Sequence, residues 1–380
     1  MSEADLNEAG LCLQIMDDFY KTFSSRLRNH PFNSPGPVKP TGSKLKPIPK
    51  DQYETILSFF GNKVLPFALS LEDFSSQLTR TLDFDLHKIF KAVSLCSEKI
   101  SIDGDLIIEK LPKRTAKIVK ECFRYVIWPW IRESYFVSRG LLKPNGYPGD
   151  YKIVESMYEG NAKSLGLGYI YDIIFLESQL CQGLRNRKDQ MKQIISNYLN
   201  ISNKNSHILF NVGCGGSREL RELNFDHKGE GLALYLLDFD REAIDFSIKN
   251  LQANMPKSNI TSINIDVKEL TTKDGLSKLK LKQPDLIYSI GLFDYLPDKI
   301  IISLLANLLN LLRESGMIIF AHKDYTLYNP RIADWFCDWR YYSRTQKDFD
   351  KIFVALGIEP KSVSFSREKD GYIFFAKIIK

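Results

Sequence analysis

The chain has 380 residues, of which 44% are hydrophobic and 26% are charged, and its formal net charge is +6. This composition is typical of globular proteins, and the length predicts two folded units. The net charge is small for this length, and the basic residues form no long block, so we expect no nucleic-acid partner. No run of 18 apolar residues is present, so we also expect no membrane span.

The six cysteines lie far apart and include no C-x-x-C pair. This spacing predicts free thiols and no metal site. The first residues lack the charged, apolar and cleavage regions of a secretory signal. We therefore expect a cytoplasmic protein without disulfides.

The N-terminal half is predicted to be mostly helical. Residues 1–30 have apolar positions at helical spacing, which predicts one amphipathic helix. Residues 31–50 are dense in proline and predict a linker. Residues 51–198 return to helical spacing and predict a helical domain. Its predicted helices are Tyr53–Phe60, Leu71–Thr81, Phe84–Cys96, Ala116–Tyr135, Lys152–Tyr158 and Ile170–Tyr198.

Residues 199–380 alternate between apolar strands and helices. The predicted strands are His207–Val212, Gly231–Leu237, Thr261–Ile265, Asp285–Ile290, Met317–Ala321, Ser362–Phe365 and Tyr372–Ile379. Helical segments such as Arg241–Asn254 and Asp298–Glu314 separate most of them. Repeated strand–helix units predict a parallel sheet with right-handed crossovers, and the last two strands predict a hairpin. The fold class is therefore α/β, with a mostly parallel seven-stranded sheet.

A glycine-rich turn follows the first predicted strand. It contains Asn211, Gly213, Gly215 and Gly216 and leads into a helix. Glycines at such a turn let the backbone approach a ligand that a Cβ would exclude. Arg218 stands where the third glycine of G-x-G-x-x-G would fall, which disfavours a dinucleotide.

Candidate ligand-binding residues also follow the next three predicted strands. Asp238 ends the second strand at the offset expected for an acid that binds ribose hydroxyls. Helix capping is the alternative, and it suits Asp240 better. Asp266 follows the third strand and is a candidate acceptor for an adenine amino group. Gly291 and Leu292 follow the fourth strand, at the edge where parallel sheets bind ligands.

These four motifs, in this order along the chain, resemble those of class I S-adenosylmethionine-dependent methyltransferases over roughly residues 200–380. The resemblance implies a Rossmann-like fold with an antiparallel final strand. It also implies S-adenosylmethionine as the methyl donor and S-adenosylhomocysteine (SAH) as the product. The implied donor-binding residues are Asn211, Gly213, Gly215, Gly216, Asp238, Asp266, Gly291 and Leu292. Asn211 stands where many such proteins have an acidic residue.

A narrower resemblance covers about residues 120–380. Residues 146–150, 184–187, 291–296 and 338–344 are similar, in that order, to segments of bacterial methyltransferases for extracellular-factor (3-hydroxypalmitic acid methyl ester) biosynthesis. Residues 321–325 depart from that family's usual turn. The resemblance implies a helical N-terminal region folded over the active site and, for the namesake, methyl transfer to a fatty-acid carboxylate. It also implies a lid containing Tyr147, Asp150 and Tyr158, with a rigid loop as the alternative.

Arg187 is our candidate for the donor carboxylate, because a guanidinium offers two parallel hydrogen bonds. A surface arginine is the alternative. An acceptor carboxylate would need no general base, whereas a hydroxyl or an amine would need one. The candidate catalytic residues are His322, Asp294, Tyr295 and Asp150. The candidate acceptor-site residues are Tyr158, Tyr325, Trp335, Trp339 and Tyr342, with packing as the alternative for the aromatic cluster.

The sequence thus predicts a methyltransferase that acts on a small molecule. A carboxylate or hydroxyl oxygen is favoured as acceptor, in a hydroxy fatty acid or a natural-product intermediate. Small-molecule N-methylation and a non-catalytic, partner-docking donor-binding protein are the alternatives. Methylation of RNA or protein rests on the net charge alone and is weaker. A homodimer is compatible with the sequence.

Overall fold

The computed structural model describes residues 15, 17, 21, 48–80, 85–201, 206–223, 225, 231–253, 255, 259–272, 275 and 281–380. Of the predicted N-terminal helix, Ile15, Asp17 and Lys21 are described, and each is helical. The predicted linker at residues 31–50 lies outside the described residues except for its last three positions.

The helices, in chain order, are α1 (Lys50–Phe59), α2 (Leu65–Arg80), α3 (Leu86–Ile108), α4 (Lys113–Ile131), α5 (Tyr135–Leu142), α6 (Tyr151–Glu159), α7 (Gly166–Leu176), α8 (Gln179–Ile201), α9 (Arg218–Arg221), α10 (Arg241–Leu251), α11 (Val267–Leu270), α12 (Asp298–Leu311), α13 (Arg331–Cys337) and α14 (Gln346–Ala355). A π-helical turn, Phe60–Val64, joins α1 to α2, and 3₁₀ turns lie at Phe293–Tyr295 and Pro360–Ser362.

The strands are β1 (His207–Val212), β2 (Leu232–Asp238), β3 (Ile260–Asn264), β4 (Leu286–Ser289), β5 (Met317–Lys323), β6 (Val363–Arg367) and β7 (Ile373–Ile379). Each lies within a few residues of its prediction. The predicted helix Ile170–Tyr198 is two helices instead, because the hydroxyl of Ser178 accepts a hydrogen bond from the amide of Cys181 and starts a new helix there.

The chain forms two compact units. The first contains Met1–Gly149, Asn161–Glu177 and Pro330–Trp339; the second contains Asp150–Gly160, Ser178–Asn329 and Arg340–Lys380. The second unit therefore includes α6 and α8, which were predicted to belong to the helical domain at residues 51–198. For α8 the reason is apolar packing, since Met191, Ile195 and Leu199 belong to the core on one face of the sheet.

The described part of the first unit is helical and is held by aromatic packing and buried polar bonds. The rings of Phe123 and Trp335 meet edge to face at 5.2 Å. The indole of Trp335 also donates to Asp105 at 2.8 Å. Ser134 begins α5 and donates to the buried carboxylate of Asp172 at 2.6 Å. These bonds satisfy polar groups that would otherwise be costly to bury.

The second unit is built on one sheet with the strand order β3-β2-β1-β4-β5-β7-β6. Neighbouring strands among β1 to β5 pair in parallel, and β7 runs antiparallel to both β5 and β6. This is a Rossmann-like, mostly parallel seven-stranded α/β sheet with an antiparallel final strand, as the sequence predicts. Helices α8 and α10 contribute to the core on one face, and α12 and α14 contribute to the core on the other.

Burial on both faces explains the apolar character of the central strands. All four residues of β4 are buried, as expected for a parallel strand covered by helices on both sides. Among the helices that the structure describes, none has the length and apolar character needed to cross a bilayer.

We expect Gly168→Ala to destabilise the first unit. Gly168 lies in α7, and an added Cβ would come within 2.4 Å of the carbonyl oxygen of Glu133. Because backbone would have to move, the free energy of unfolding should fall by about 1–3 kcal/mol. Urea denaturation followed by circular dichroism measures the change.

Gly61→Ala is the matched control. A Cβ at Gly61 would meet nothing within 4 Å, so the better helix propensity of alanine should stabilise by up to about 1 kcal/mol. Equal stabilities of the two variants would contradict the close packing at Gly168.

Candidate functional site

The glycine turn after β1 has a backbone that other residues adopt with difficulty. Gly213 and Gly215 have φ angles of +69° and +49°. The amides of Gly213 and Cys214 both donate to the carbonyl of Leu237, at 2.8 and 3.1 Å, which ties the turn to β2. Among the described residues, nothing lies within 4 Å of a Cβ built at Gly215. The turn is therefore rigid and open on that side.

Asp238 at the end of β2 holds the same turn. One carboxylate oxygen accepts from the amide of Gly215 at 2.8 Å, and the other accepts from the amide of Asp240 at 3.0 Å. Each oxygen keeps a second lone pair for a ligand. Burial raises the pKa of Asp238, and the hydrogen bonds from Asp240 and Gly215 act in the opposite direction. Asp240 itself caps α10 through the amides of Glu242 and Ala243, so the capping role falls on Asp240.

The turn after β3 contains Asp266, which is exposed. One of its oxygens accepts from the amide of Lys268 at 2.9 Å and caps α11. The neighbouring Asn264 donates to the carbonyls of Asp238 and Phe239 at 3.1 and 2.8 Å. Asn264 therefore holds the turn that carries Asp238 in place, a role that no local sequence pattern indicates. The adenine role of Asp266 stays a prediction.

Arg187 on α8 is buried, which removes the surface-arginine alternative. It is 5% exposed, and its Nη1 lies 4.0 Å from Oδ2 of Asp294. A Cβ at Gly291 would lie 3.7 Å from its Nη2. Burial raises the pKa of Tyr158, while the charge of Arg187 and a hydrogen bond with it act to lower that pKa. Arg187, Tyr158 and the turn after β4 are thus brought together.

Of the buried polar side-chain atoms that have no hydrogen-bond partner among the described residues, three concern the turns after β1 and β4. They are Nε of Arg187, Oδ1 of Asn211 and Oγ of Ser289. Asn211 and Ser289 lie near the carboxyl ends of β1 and β4, and Arg187 lies beside Gly291. Buried polar groups are nearly always paired in native proteins. Three unpaired atoms on these neighbouring elements indicate a polar ligand.

A buried charge cluster joins the ends of β4 and β5. Oδ2 of Asp294 accepts from Nζ of Lys323 at 2.5 Å, and Oδ1 accepts from the Lys323 amide at 3.0 Å. Burial raises the pKa of Asp294, but Lys323 and His322 outweigh that effect and lower it to about 2. Burial lowers the pKa of Lys323 to about 8, against the opposing effect of Asp294. The Lys323 ammonium also lies 3.9 Å from the ring centre of Tyr341.

The side chain of His322 lies on the face of the sheet opposite to that of Lys323. Its ring contacts the rings of Phe349 and Phe374, with centres 5.1 and 5.8 Å away. Its Nδ1 lies 2.7 Å from the carbonyl of Lys323, and its Nε2 lies 3.4 Å from Nη1 of Arg344. Burial lowers the pKa of His322 and favours the neutral ring. Both nitrogens are engaged, so the geometry does not suit the predicted general base.

Other predicted catalytic and acceptor-site residues have structural positions. The carboxylate of Asp150 is fully buried and caps α6 through the amides of Lys152 and Ile153, at 2.9 and 3.2 Å. Trp335 and Trp339 are enclosed in the first unit, where Trp339 stacks on Phe175 at 5.9 Å. For these tryptophans the packing alternative therefore describes the structure.

The remaining tyrosines occupy three kinds of position. Tyr325 and Tyr342 are 57% and 48% exposed in the second unit. Tyr295 lies 5.6 Å from Tyr341, ring centre to ring centre. Tyr147 is half-buried in the first unit.

Sequence reasoning missed Lys323, Arg344 and Glu155. Lys323 was missed because the predicted fifth strand ended at Ala321, two residues too early. Arg344 donates to Asp298 and to the carbonyl of Leu296, and so holds the turn after β4. Glu155 accepts from Arg218 and Arg221, and its other oxygen lies close to the glycine turn, 2.4 Å from a Cβ built at Gly216.

No protein-family model and no curated protein matches the chain. Solved structures of similar fold include a possible exported protein from Bordetella parapertussis, at 14% identity, with 84% of this chain and 96% of that chain covered and a TM-score of 0.49. Magnesium protoporphyrin IX methyltransferase from Synechocystis with bound SAH is 13% identical, with 53% of this chain and 87% of that chain covered and a TM-score of 0.40. The S-adenosylmethionine-dependent methyltransferase SibL has 12% identity, 77% and 95% coverage and a TM-score of 0.41. At these identities the likeness is one of fold.

We expect Asp294→Asn to destabilise the second unit strongly. The substitution leaves Lys323 buried without its anion, which should cost about 3–5 kcal/mol in the free energy of unfolding. Adding Lys323→Met should recover much of that loss, because the cation nearest to position 294 is then also removed. Since the pKa of Asp294 falls from 3.8 to about 2 on folding, its contribution should be present above pH 4 or so and disappear as the pH approaches about 2.

Asp245→Asn is the control, since Asp245 forms an exposed pair with Arg241 that should contribute at most about 1 kcal/mol. Urea titrations of the single and double variants measure the coupling. Strictly additive losses would contradict the buried ion pair.

Proposed function

We propose that the chain is an S-adenosylmethionine-dependent methyltransferase that acts on a small-molecule acceptor. The observation that carries the proposal is the set of unpartnered buried atoms, Nε of Arg187, Oδ1 of Asn211 and Oγ of Ser289. They accompany an open glycine turn at the carboxyl ends of the strands, where parallel α/β sheets bind their ligands.

The residues of this edge fit the chemical groups of the donor. Asp238 would accept hydrogen bonds from the ribose hydroxyls with its remaining lone pairs. Gly213 and Gly215 would let the backbone approach the donor closely. Arg187 would bind the donor carboxylate, and Asp266 would accept from the adenine amino group. S-adenosylmethionine, when bound, would supply an activated methyl group for in-line displacement.

The protein then has to align the acceptor and exclude water. Arg187, Asp294 and Lys323 are each at most 5% exposed, which supports a site screened from solvent. A low effective dielectric strengthens every charge interaction within it. Leu292 and Gly291 would line the region between donor and acceptor.

We infer that the acceptor atom is a carboxylate oxygen. A hydroxyl or amine needs a general base, but Asp294 is held ionised in a salt bridge and both ring nitrogens of His322 are engaged. Asp150 caps a helix. Lys323 keeps N–H donors beyond the one that Asp294 accepts, so we propose that it orients the acceptor carboxylate.

The resemblance to the extracellular-factor methyltransferases supports the same class of acceptor. Hydroxy fatty acids and aromatic acids are therefore the first compounds to test. Tyr158, Tyr295, Tyr325 and Tyr342 are the proposed acceptor-side contacts.

We expect calorimetric titration to detect binding of S-adenosylmethionine and SAH, and Asp238→Ala to weaken both by about tenfold or more. The physical reason is the loss of the carboxylate that would accept from the ribose. Asp245→Ala is the matched control, because it removes an exposed carboxylate of the same unit. Its affinities should equal those of the wild type. Absence of SAH binding by the wild-type chain would overturn the proposed function.

We expect methylation of a carboxylic acid to lose activity as the pH rises through about 8. Activity should fall with rising pH because only the protonated form of Lys323 carries the positive charge that binds an anion. Lys323→Arg should remove this alkaline limb, because a guanidinium keeps its proton above pH 12 or so. Initial rates from pH 6 to 10 or so, with labelled donor, measure the profile. An identical alkaline limb in Lys323→Arg would exclude Lys323 from acceptor binding.

A further inference from the structure

The side-chain amide of Asn211 has a fixed orientation. Its Nδ2 lies 3.1 Å from Oε1 of Glu219 and 3.3 Å from Oγ of Ser217. A carboxylate can only accept, so the NH₂ end of the amide must point to Glu219. The oxygen Oδ1 therefore points away, and it is the buried atom without a partner.

Glu219 is the buried anion behind this amide. It is 3% exposed, and its Oε1 also accepts from the hydroxyl of Tyr288 at 2.7 Å. Asn211 and Tyr288 are register partners on the adjacent strands β1 and β4, so their side chains share one face of the sheet. Burial raises the pKa of Glu219, whereas the Tyr288 hydrogen bond and the charge of Arg187 act to lower it. The result is a chain of hydrogen bonds that ends in an unpartnered acceptor.

Two of the three unpartnered atoms at this edge have opposite hydrogen-bonding character. Nε of Arg187 is a donor with a positive charge, and Oδ1 of Asn211 is an acceptor with the Glu219 carboxylate behind it. Arg187 and Glu219 are close enough to interact electrostatically. An α-amino acid group presents the complementary pair, a carboxylate and an ammonium.

We infer that Glu219 is a positioning residue that acts through Asn211 to bind the α-ammonium group of the methyl donor. This inference rests on the proposed function. Glu219 fixes which end of the Asn211 amide faces the ligand, and its charge favours a cation there. Tyr288 holds Glu219 in place. Selectivity for the amino acid portion of the donor thus depends on a residue that lies beyond the glycine turn.

The test compares two ligands that differ in the amino acid portion. SAH carries the ammonium and carboxylate, whereas 5′-methylthioadenosine lacks both. Glu219→Gln should weaken SAH binding by about tenfold or more and change 5′-methylthioadenosine binding by less than about twofold. Adding Asn211→Asp to Glu219→Gln should restore SAH affinity, because a carboxylate again faces the ammonium. Calorimetry measures the affinity of the wild type and of both variants for each ligand.

Glu222→Gln is the matched control, since Glu222 follows the same helix but pairs with Lys188 and Lys192. It should leave the ratio of the two affinities unchanged. Tyr288→Phe provides a second, milder variant that retains the ring, and it should lower SAH affinity selectively if Glu219→Gln fails to fold.

Two outcomes separate the proposals. If the wild-type chain binds neither ligand, the proposed function fails. If the wild-type chain binds both, and Glu219→Gln or Tyr288→Phe weakens both equally, Glu219 is merely structural and the inference is overturned.

Discussion

The parallel pairing of β1 with β2 and β4 is the constraint on which the candidate site depends. In parallel strands all carboxyl ends lie at one edge, so residues far apart in sequence meet there. The register places Val212 beside Leu237 and Asn211 beside Tyr288. Asp238 then reaches the amide of Gly215. A single carboxylate thus connects two successive strand ends and leaves open space beside Gly215, where a Cβ would meet no described atom within 4 Å.

Charge burial is the second organising feature of this edge. Asp294 lies within 4.0 Å of both Arg187 and Lys323, so two cations share one buried anion. Burying such groups is costly even when they are paired, and an uncharged core of similar shape would be at least as stable. Glu219 also interacts electrostatically with Arg187. The proposed donor and acceptor carboxylates would bring further anions to Arg187 and Lys323.

The positions of the predicted bases lead to the same chemistry. The carboxylate of Asp150 caps a helix, and the ring of His322 packs against Phe349 and Phe374. Methyl transfer from a sulfonium to a carboxylate requires alignment and desolvation but no proton transfer. The absence of a free base among these residues supports the proposed carboxylate acceptor. Recognition of the donor amino acid by Arg187 and Asn211 would supply the alignment on the donor side.

The sequence alone determined the features that depend on local pattern. Alternating strands and helices are encoded by short-range periodicity, and so the seven strands were located within a few residues. The glycine turn and Asp238 were found for the same reason, because a turn between strand and helix has a local signature. The capping role of Asp240 was also readable, since a cap is a contact between near neighbours.

The tertiary structure decided which side chains have free atoms. His322 was expected at the ligand edge, but β5 continues to Lys323, and strand alternation turns His322 to the opposite face. Lys323, one residue later, forms the close salt bridge with Asp294 at 2.5 Å, whereas Nδ1 of His322 lies 3.7 Å from the same carboxylate. Trp335 has its partner at Asp105, far away in sequence. The acceptor of Asn211 is free only because Glu219 and Tyr288 fold against it. Such partners are set by packing between distant segments, which no local pattern specifies.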